Sequence, residues 1–222
     1  MPKEVAKALA MLDSSLVGRR WMLFVDGENL TARASDIFEA EGVRELLKPG
    51  RYYKPGGFIW IPRVAPRRSF LDIEGGYPLM AHGHRAHYFA MTQGNGVDVD
   101  QLRKTIRTCG FEPHVFHKPK GQHAKRIDID LAVRMVTAAA LDQYDIAVLM
   151  TGDEDYVPAV ESIKNDFGKT VYLSFFDHEK GGLSSELRLA CDNFFDLTYE
   201  FMNHWAYYEA GLQDHDPFRL ST

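Results

Sequence analysis

Apolar and polar positions alternate along this chain in two rhythms that take turns. Short β-rich runs at residues 21–25, 85–91, 111–117, 146–150 and 170–176 are each followed by a stretch of helical periodicity, at 29–41, 97–108, 127–141, 156–166 and 184–190. Runs of four to eight residues rich in Val, Ile, Phe and Tyr read as strands, and apolar positions three and four apart read as helices. Strand and helix in strict alternation predict a parallel sheet covered by helices. Residues 194–197 add an edge strand, and Gly42 is placed to cap the first helix. At the ends, Val5, Leu9, Leu12 and Leu16 predict an amphipathic N-terminal helix, and Phe201, Trp205, Tyr208 and Leu212 a C-terminal one. The latter either covers the sheet or forms a subunit contact, so a homodimer through it is a further expectation.

Two of the strands end in acid. Leu23-Phe24-Val25 runs into Asp26-Gly27-Glu28-Asn29, and the run 146–150 runs into Thr151-Gly152-Asp153-Glu154-Asp155-Tyr156. Strands of a parallel sheet deliver the residues that follow them to the carboxyl edge, where open α/β sheets bind ligands, so these carboxylates are expected to share one crevice. Ionised carboxylates gathered in a cleft repel one another unless a cation or a shared proton intervenes. A hard divalent ion that prefers oxygen ligands, Mg²⁺ or Mn²⁺, suits such a cluster and a substrate phosphate together. Each segment taken singly has a plainer use: Asp153 or Asp155 as a helix cap, Asp26 as a turn residue, Asn29 as an N-cap.

Composition narrows the partners. The chain has 222 residues, 45% of them hydrophobic, enough for one domain with decorations. Its net charge of −5 excludes a surface that is basic throughout, so nucleic acid has to be met by local stripes of cations. Cys109 and Cys191 form no metal-binding spacing and read as reduced core thiols. No run has the length of a signal peptide's apolar core or of a membrane span, which makes a cytoplasmic protein without a membrane partner the expectation.

The stretch from Leu46 to Leu71 breaks the alternation. Lys48, Arg51, Lys54, Arg63, Arg67 and Arg68 occur there without an acid, interleaved with Tyr52, Tyr53, Phe58, Trp60 and Phe70 and punctuated by Pro and Gly. It reads as a basic, aromatic insertion, with a short hairpin around 58–64. Cations for phosphates and rings for unpaired bases are what single-stranded nucleic acid requires, and Arg63, Arg67, Arg68 and Trp60 are its candidate contacts. A second basic run, from His117-Lys118-Pro119-Lys120 to Lys125-Arg126, leads into the helix carrying Asp128 and Asp130. Lys120, Lys125 and Arg126 are candidates there. His82, His84 and His87 read as loop and strand surface without a role.

The ordered set Phe24-Val25-Asp26-Gly27-Glu28-Asn29, Lys125 to Leu131, the Thr151-Gly152-Asp153-Glu154-Asp155-Tyr156-Val157-Pro158 segment and Gly168-Lys169-Thr170-Val171 resembles the NYN family of PIN-like nucleases, over residues 21 to 197. The resemblance implies an α/β fold: a PIN-like parallel sheet sandwiched by helices, with the insertion after the first strand–helix unit and a C-terminal helix. It divides the chain into an extension at 1–20, the domain at 21–198 with its insertion at 46–84, and a tail at 199–222. It implies a metal-dependent nuclease, most often acting on RNA, with DNA left open. Asp26, Asp128, Asp153 and Asp155 would ligate Mg²⁺ or Mn²⁺ directly or through water, Asn29 would orient Asp26 or a bound phosphate, and Lys125 would meet the substrate backbone. One departure stands out, Arg134, where family members often carry a further acid. Its place four residues beyond Asp130 predicts a surface ion pair between them.

Two rivals remain at this level. A haloacid-dehalogenase-like phosphatase also places an Asp after its first strand, as a nucleophile, but carries a second Asp two positions on where this chain has Glu28. An RNA-binding or regulatory module that keeps the fold and hydrolyses nothing is the other, and Arg134 makes it worth weighing.

Overall fold

A computed structural model describes residues 19–41, 58–60, 85–92, 96–108, 111–117, 125–198 and 207–209. Its centre is a six-stranded sheet in the order β4-β3-β1-β5-β6-β7. These strands are β1 (Trp21–Asp26), β3 (Arg85–Thr92), β4 (Glu112–His117), β5 (Ile146–Met150), β6 (Thr170–Phe175) and β7 (Asn193–Asp196), and every neighbouring pair is parallel. The helices are α1 (Gly27–Ala40), α2 (Gly96–Thr108), α3 (Lys125–Ala140), α4 (Val157–Asn165) and α5 (Ser185–Ala190).

From β1 the chain moves outward through β3 to β4, then returns beneath α3 to the other flank of β1 and proceeds through β5, β6 and β7. The direction of winding reverses between β1 and β5. With right-handed crossovers a reversal places successive helices on opposite faces, and the core divides accordingly. Leu30, Ala34, Ile37 and Phe38 of α1 pack with Leu102 and Ile106 of α2 on Leu23, Val25, Tyr88 and Val148. On the opposite face, Ile127, Leu131 and Met135 of α3 pack with Val160 and Ile163 of α4 on Met22, Phe24, Phe89, Leu149 and Leu173. Both faces of β1 and β5 are covered, which is why these two strands are apolar at nearly every position rather than at alternate ones.

The amino end of this central pair is pinned by charge. The Arg20 guanidinium reaches Asp145 at 2.8 Å and Asp142 at 3.0 Å, and Lys169 also pairs with Asp142. At the carboxyl end Asp26 closes β1 and caps α1, accepting the Asn29 amide hydrogen at 3.0 Å. The cap is therefore Asp26, not Asn29, and α1 starts at Gly27, two residues earlier than its periodicity predicts.

One further difference concerns the C-terminal helix. Tyr207–Glu209 is a strand, β8, paired antiparallel with β2 (Phe58–Trp60), with Ile59 opposite Tyr208. Tyr208 thus belongs to a two-stranded ribbon with the 58–60 segment, while residues 61–64 of the hairpin expected around 58–64 lie outside the described residues. Aromatic and β-branched residues favour this pairing, and their spacing by chance also fits a helical stripe. The N-terminal helix, Gly42, Cys109 and Phe201, Trp205 and Leu212 lie outside the described residues.

Gly27 shows how tightly the β1–α1 turn is built. A Cβ placed there would lie 2.2 Å from the Tyr88 ring and 2.6 Å from the Phe89 carbonyl oxygen, a backbone atom of β3. Gly27→Ala should destabilise the fold by about 1–3 kcal/mol, the usual cost of overpacking, read as a lower melting temperature. An unchanged melting temperature would show that β1 and β3 do not approach in this way.

Candidate acidic site at the switch point

The carboxyl ends of β1 and β5 lie side by side where the winding reverses, so the segments after them open on one crevice. Side chains alternate along a strand, and Asp26 shares its face with Met22 and Phe24, the face covered by α3. It is 2% exposed. Its Oδ1 accepts from the Asn29 amide, and its Oδ2 accepts from the Tyr156 hydroxyl at 3.1 Å and the Thr151 hydroxyl at 3.3 Å. All three donors are neutral. Burial pushes the Asp26 carboxyl up to about 7, and the Asp128 charge adds to the shift against the lowering by Asn29 and Tyr156.

Asp128 enters from the first turn of α3 and lies 3.3 Å from the same Tyr156 oxygen. Its carboxyl is also raised, first by burial and then by the charge of Asp153, with smaller contributions from Asp155 and Glu28. Tyr156 has one proton and two carboxylates facing it. Whichever it serves, the other meets an oxygen lone pair, and this crowding, together with burial, raises the phenol's own pKa. Asp153 caps the short 3₁₀ turn Glu154–Tyr156 by accepting the Asp155 amide hydrogen at 3.0 Å, so its plainer role is real, and its charge still reaches Asp128. Asp155 is exposed at the rim.

Asn29 acts through both its backbone and its side chain. Its backbone amide holds Asp26, while its side-chain oxygen accepts the Gly152 amide hydrogen at 3.0 Å and so ties the β1 segment to the β5 segment. Glu28, partly buried in the first turn of α1, was passed over as a site residue although its charge raises both Asp26 and Asp128. Its adjacency to Asp26 was the available signal. Thr151 and Tyr156 likewise act on Asp26, through their hydroxyls.

The cationic candidates are placed unevenly. Arg126 is exposed on α3 with its guanidinium 4.7 Å from the Phe116 ring centroid. Lys125 opens α3 one turn ahead of Asp128, and Trp60 lies in β2. Arg63, Arg67, Arg68 and Lys120 lie outside the described residues. Arg134 pairs with Glu112 of β4 at 3.7 Å, and not with Asp130 as their spacing on the helix predicts. The side chain at 134 leans toward the edge strand, where the Glu112 carboxylate meets it.

His87 is a second correction. It is buried at 2% exposure within β3, not on the strand surface, and its Nδ1 lies 3.0 Å from Nε2 of His114 on β4. Burial pushes the His87 ring down to about 4 and lowers His114 as well, so the pair is neutral near pH 7. Cys191 is a free, buried thiol, raised to about 12 by burial.

No helix among the described residues is long and apolar enough to cross a membrane. The NYN domain model matches residues 20–198. A search of curated proteins finds no match. Among solved structures, the chain is similar to a protein of unknown function from Vibrio parahaemolyticus, with a TM-score of 0.52 and 15% identity over 81% of this chain and 93% of the other. It is also similar to a putative UDP-N-acetylglucosamine 2-epimerase from Listeria monocytogenes, at a TM-score of 0.38 and 10% identity over 82% of this chain and 40% of the other, a likeness too slight to bear on the site.

A carboxyl held near 7 in the fold, against an ordinary value of 3.8, favours the fold while it is protonated. That contribution is complete below 3.8 and is lost as pH rises through about 7. Without divalent ions, wild type should therefore lose melting temperature relative to Asp26→Asn across that window, on the order of 5 °C or more, and the difference should level off above it. A difference that does not change with pH would mean that Asp26 titrates in the ordinary range.

Proposed function

The chain belongs to the NYN domain family of the PIN-like nuclease superfamily, and from that premise we propose that it is a metal-dependent endoribonuclease that hydrolyses phosphodiester bonds of single-stranded or structured RNA. One observation carries the proposal: Asp26 and Asp128, 102 positions apart in sequence, meet at one phenol hydroxyl at the sheet's switch point, with Asp153 beside them. The donor set is all oxygen, its carboxylates raise one another's pKa values, and a hard divalent cation fits it.

Asp26, Asp128, Asp153 and Asp155 would hold Mg²⁺ or Mn²⁺. Bound there, the ion supplies Lewis-acid activation of water and neutralises charge on the reacting phosphoryl group. The protein's own part is positional. Asn29 locks the two acidic segments together through Gly152, and Thr151 and Tyr156 hold Asp26 in one rotamer, so the ligands need little rearrangement on binding. Lys125 and Arg126, at the start of α3, are suited to the phosphates flanking the scissile bond, and Lys120, Arg63, Arg67, Arg68 and Trp60 supply, by residue type, further cations and a ring for RNA. The phosphatase alternative needs a second Asp two positions beyond its nucleophile, where this chain has Glu28, and it does not account for the tie from Asn29 to Gly152.

The test is an unbiased cleavage assay on mixed RNA and DNA pools with and without Mn²⁺. Wild type should cut RNA only with the ion. Asp153→Asn should keep its melting temperature and RNA affinity while losing roughly 100-fold or more in rate, consistent with several kcal/mol of lost charge stabilisation. Equal activity in the variant would assign the cutting to a contaminant or another site, and binding without cleavage in wild type would leave the regulatory-module reading.

A further inference from the structure

The His87–His114 pair has a third member. Glu112 and His114 alternate along β4 and so share a face, and Glu112 is the register partner of His87 on β3. One ligand atom from each of the three lies within 4.8 Å of the other two. From this juxtaposition we propose that His87, His114 and Glu112 form a second metal site, for a borderline-soft divalent cation of the zinc class, separate from the acidic crevice.

The spacings fit such an ion. Tetrahedral zinc with ligands at about 2.0–2.2 Å sets its donor atoms roughly 3.3–3.6 Å apart. Here Nδ1 of His87 and Nε2 of His114 are 3.0 Å apart, and Oε2 of Glu112 is 3.5 Å from that Nδ1. Without an ion the two ring nitrogens share one proton. An ion takes the place of that proton after a separation of a few tenths of an ångström, and the imidazole that carried the proton takes the tautomer with its N–H on the other ring nitrogen, so both rings ligate in the neutral form.

The surroundings hold the donors in place. The His114 ring stacks on Phe89 at 4.3 Å and 10°, and the His87 ring on Phe24 at 5.5 Å and 18°. The two oxygens of Glu112 are divided: Oε2 faces His87, while Oε1 faces the Arg134 guanidinium at 3.7 Å. Metal-ligating carboxylates are commonly oriented in this way by an outer partner on the second oxygen. Arg134 and Arg85 also oppose a cation, and the half-exposed Glu112 and the nearby Asp130 offset them. Both rings are held neutral by burial, the state in which histidine ligates. Two imidazoles and one carboxylate leave a fourth position for water and select against the hard ions that suit an all-carboxylate site.

In register the two sites share a sheet face but not a ligand. Phe89, the partner of Asp26, stands one same-face position ahead of His87 on β3. The proposal therefore stands whether or not the protein cleaves RNA.

Metal-free protein titrated with Zn²⁺ against a chromophoric chelator should bind one ion per chain at this site, in wild type and in Asp26→Asn alike. Glu112→Gln and His114→Gln should abolish that binding. Co²⁺ in place of Zn²⁺ should give the intense visible bands of a tetrahedral site, absent in Glu112→Gln. Because Glu112 is half exposed and Gln preserves its shape, that variant remains testable if His114→Gln fails to fold. The proposal is overturned by absence of stoichiometric zinc, by zinc binding that survives in Glu112→Gln, or by binding that disappears in Asp26→Asn.

Discussion

A carboxyl group buried among neutral donors is the constraint on which this molecule turns. Asp26 ends the central strand, caps the helix that follows it, and accepts hydrogen bonds from residues on both sides of the sheet's switch point. Buried charge without a cation is costly, and hydrogen bonds recover only part of that cost. The protein tolerates it because three donors from two segments distant in sequence converge on one side chain. Removing the carboxylate would relieve an electrostatic cost and loosen the geometry at once, a pattern that belongs to binding sites more than to structural caps.

The sheet topology explains why convergence happens there. β1 and β5 are adjacent and parallel although 119 residues lie between the end of β1 and the start of β5, Val25 in register with Met150 and Asp26 one step beyond. With that register, Thr151 and Gly152 emerge level with Asp26, and the Asn29 side chain needs to span only one hydrogen bond to reach Gly152. Helix α3 crosses the same face and sets Asp128 against the phenol from above. Tyr156 is the keystone of the two acids, and its single proton leaves the pair in a state that a cation would relieve more fully than a hydroxyl can.

Much of this was legible in the chain. β1 and β5 are buried on both faces, so their unbroken apolar runs marked them as central, and the acids that follow each run located the crevice. The reach of Asn29 was not legible, because a side chain that bonds across 123 positions leaves no local periodicity. Tyr208 was misread for a different reason: aromatics at helical spacing pack equally well on a strand when a distant partner, here the Ile59 segment, supplies the hydrogen bonds. His87 was hidden because its partners are on another strand. The Glu112-x-His114 alternation beside a buried strand histidine was the available clue, and it becomes one only when the β3–β4 register is known.

The departure at Arg134 connects these threads. Six residues beyond Asp128 along α3 is a rise of about 9 Å and roughly a third of a turn of rotation, which carries the side chain away from the acidic crevice and over β4. A carboxylate at that position would face Glu112 with like charge. An arginine there instead removes one acid from that neighbourhood and gives Glu112 a counter-charge on its outward oxygen. One helix thus presents an acid to an all-oxygen cluster at its first turn and a cation to a mixed nitrogen–oxygen cluster two turns later. The two clusters differ in donor chemistry, so they select different ions by hardness, even though they share a sheet face and a covering helix.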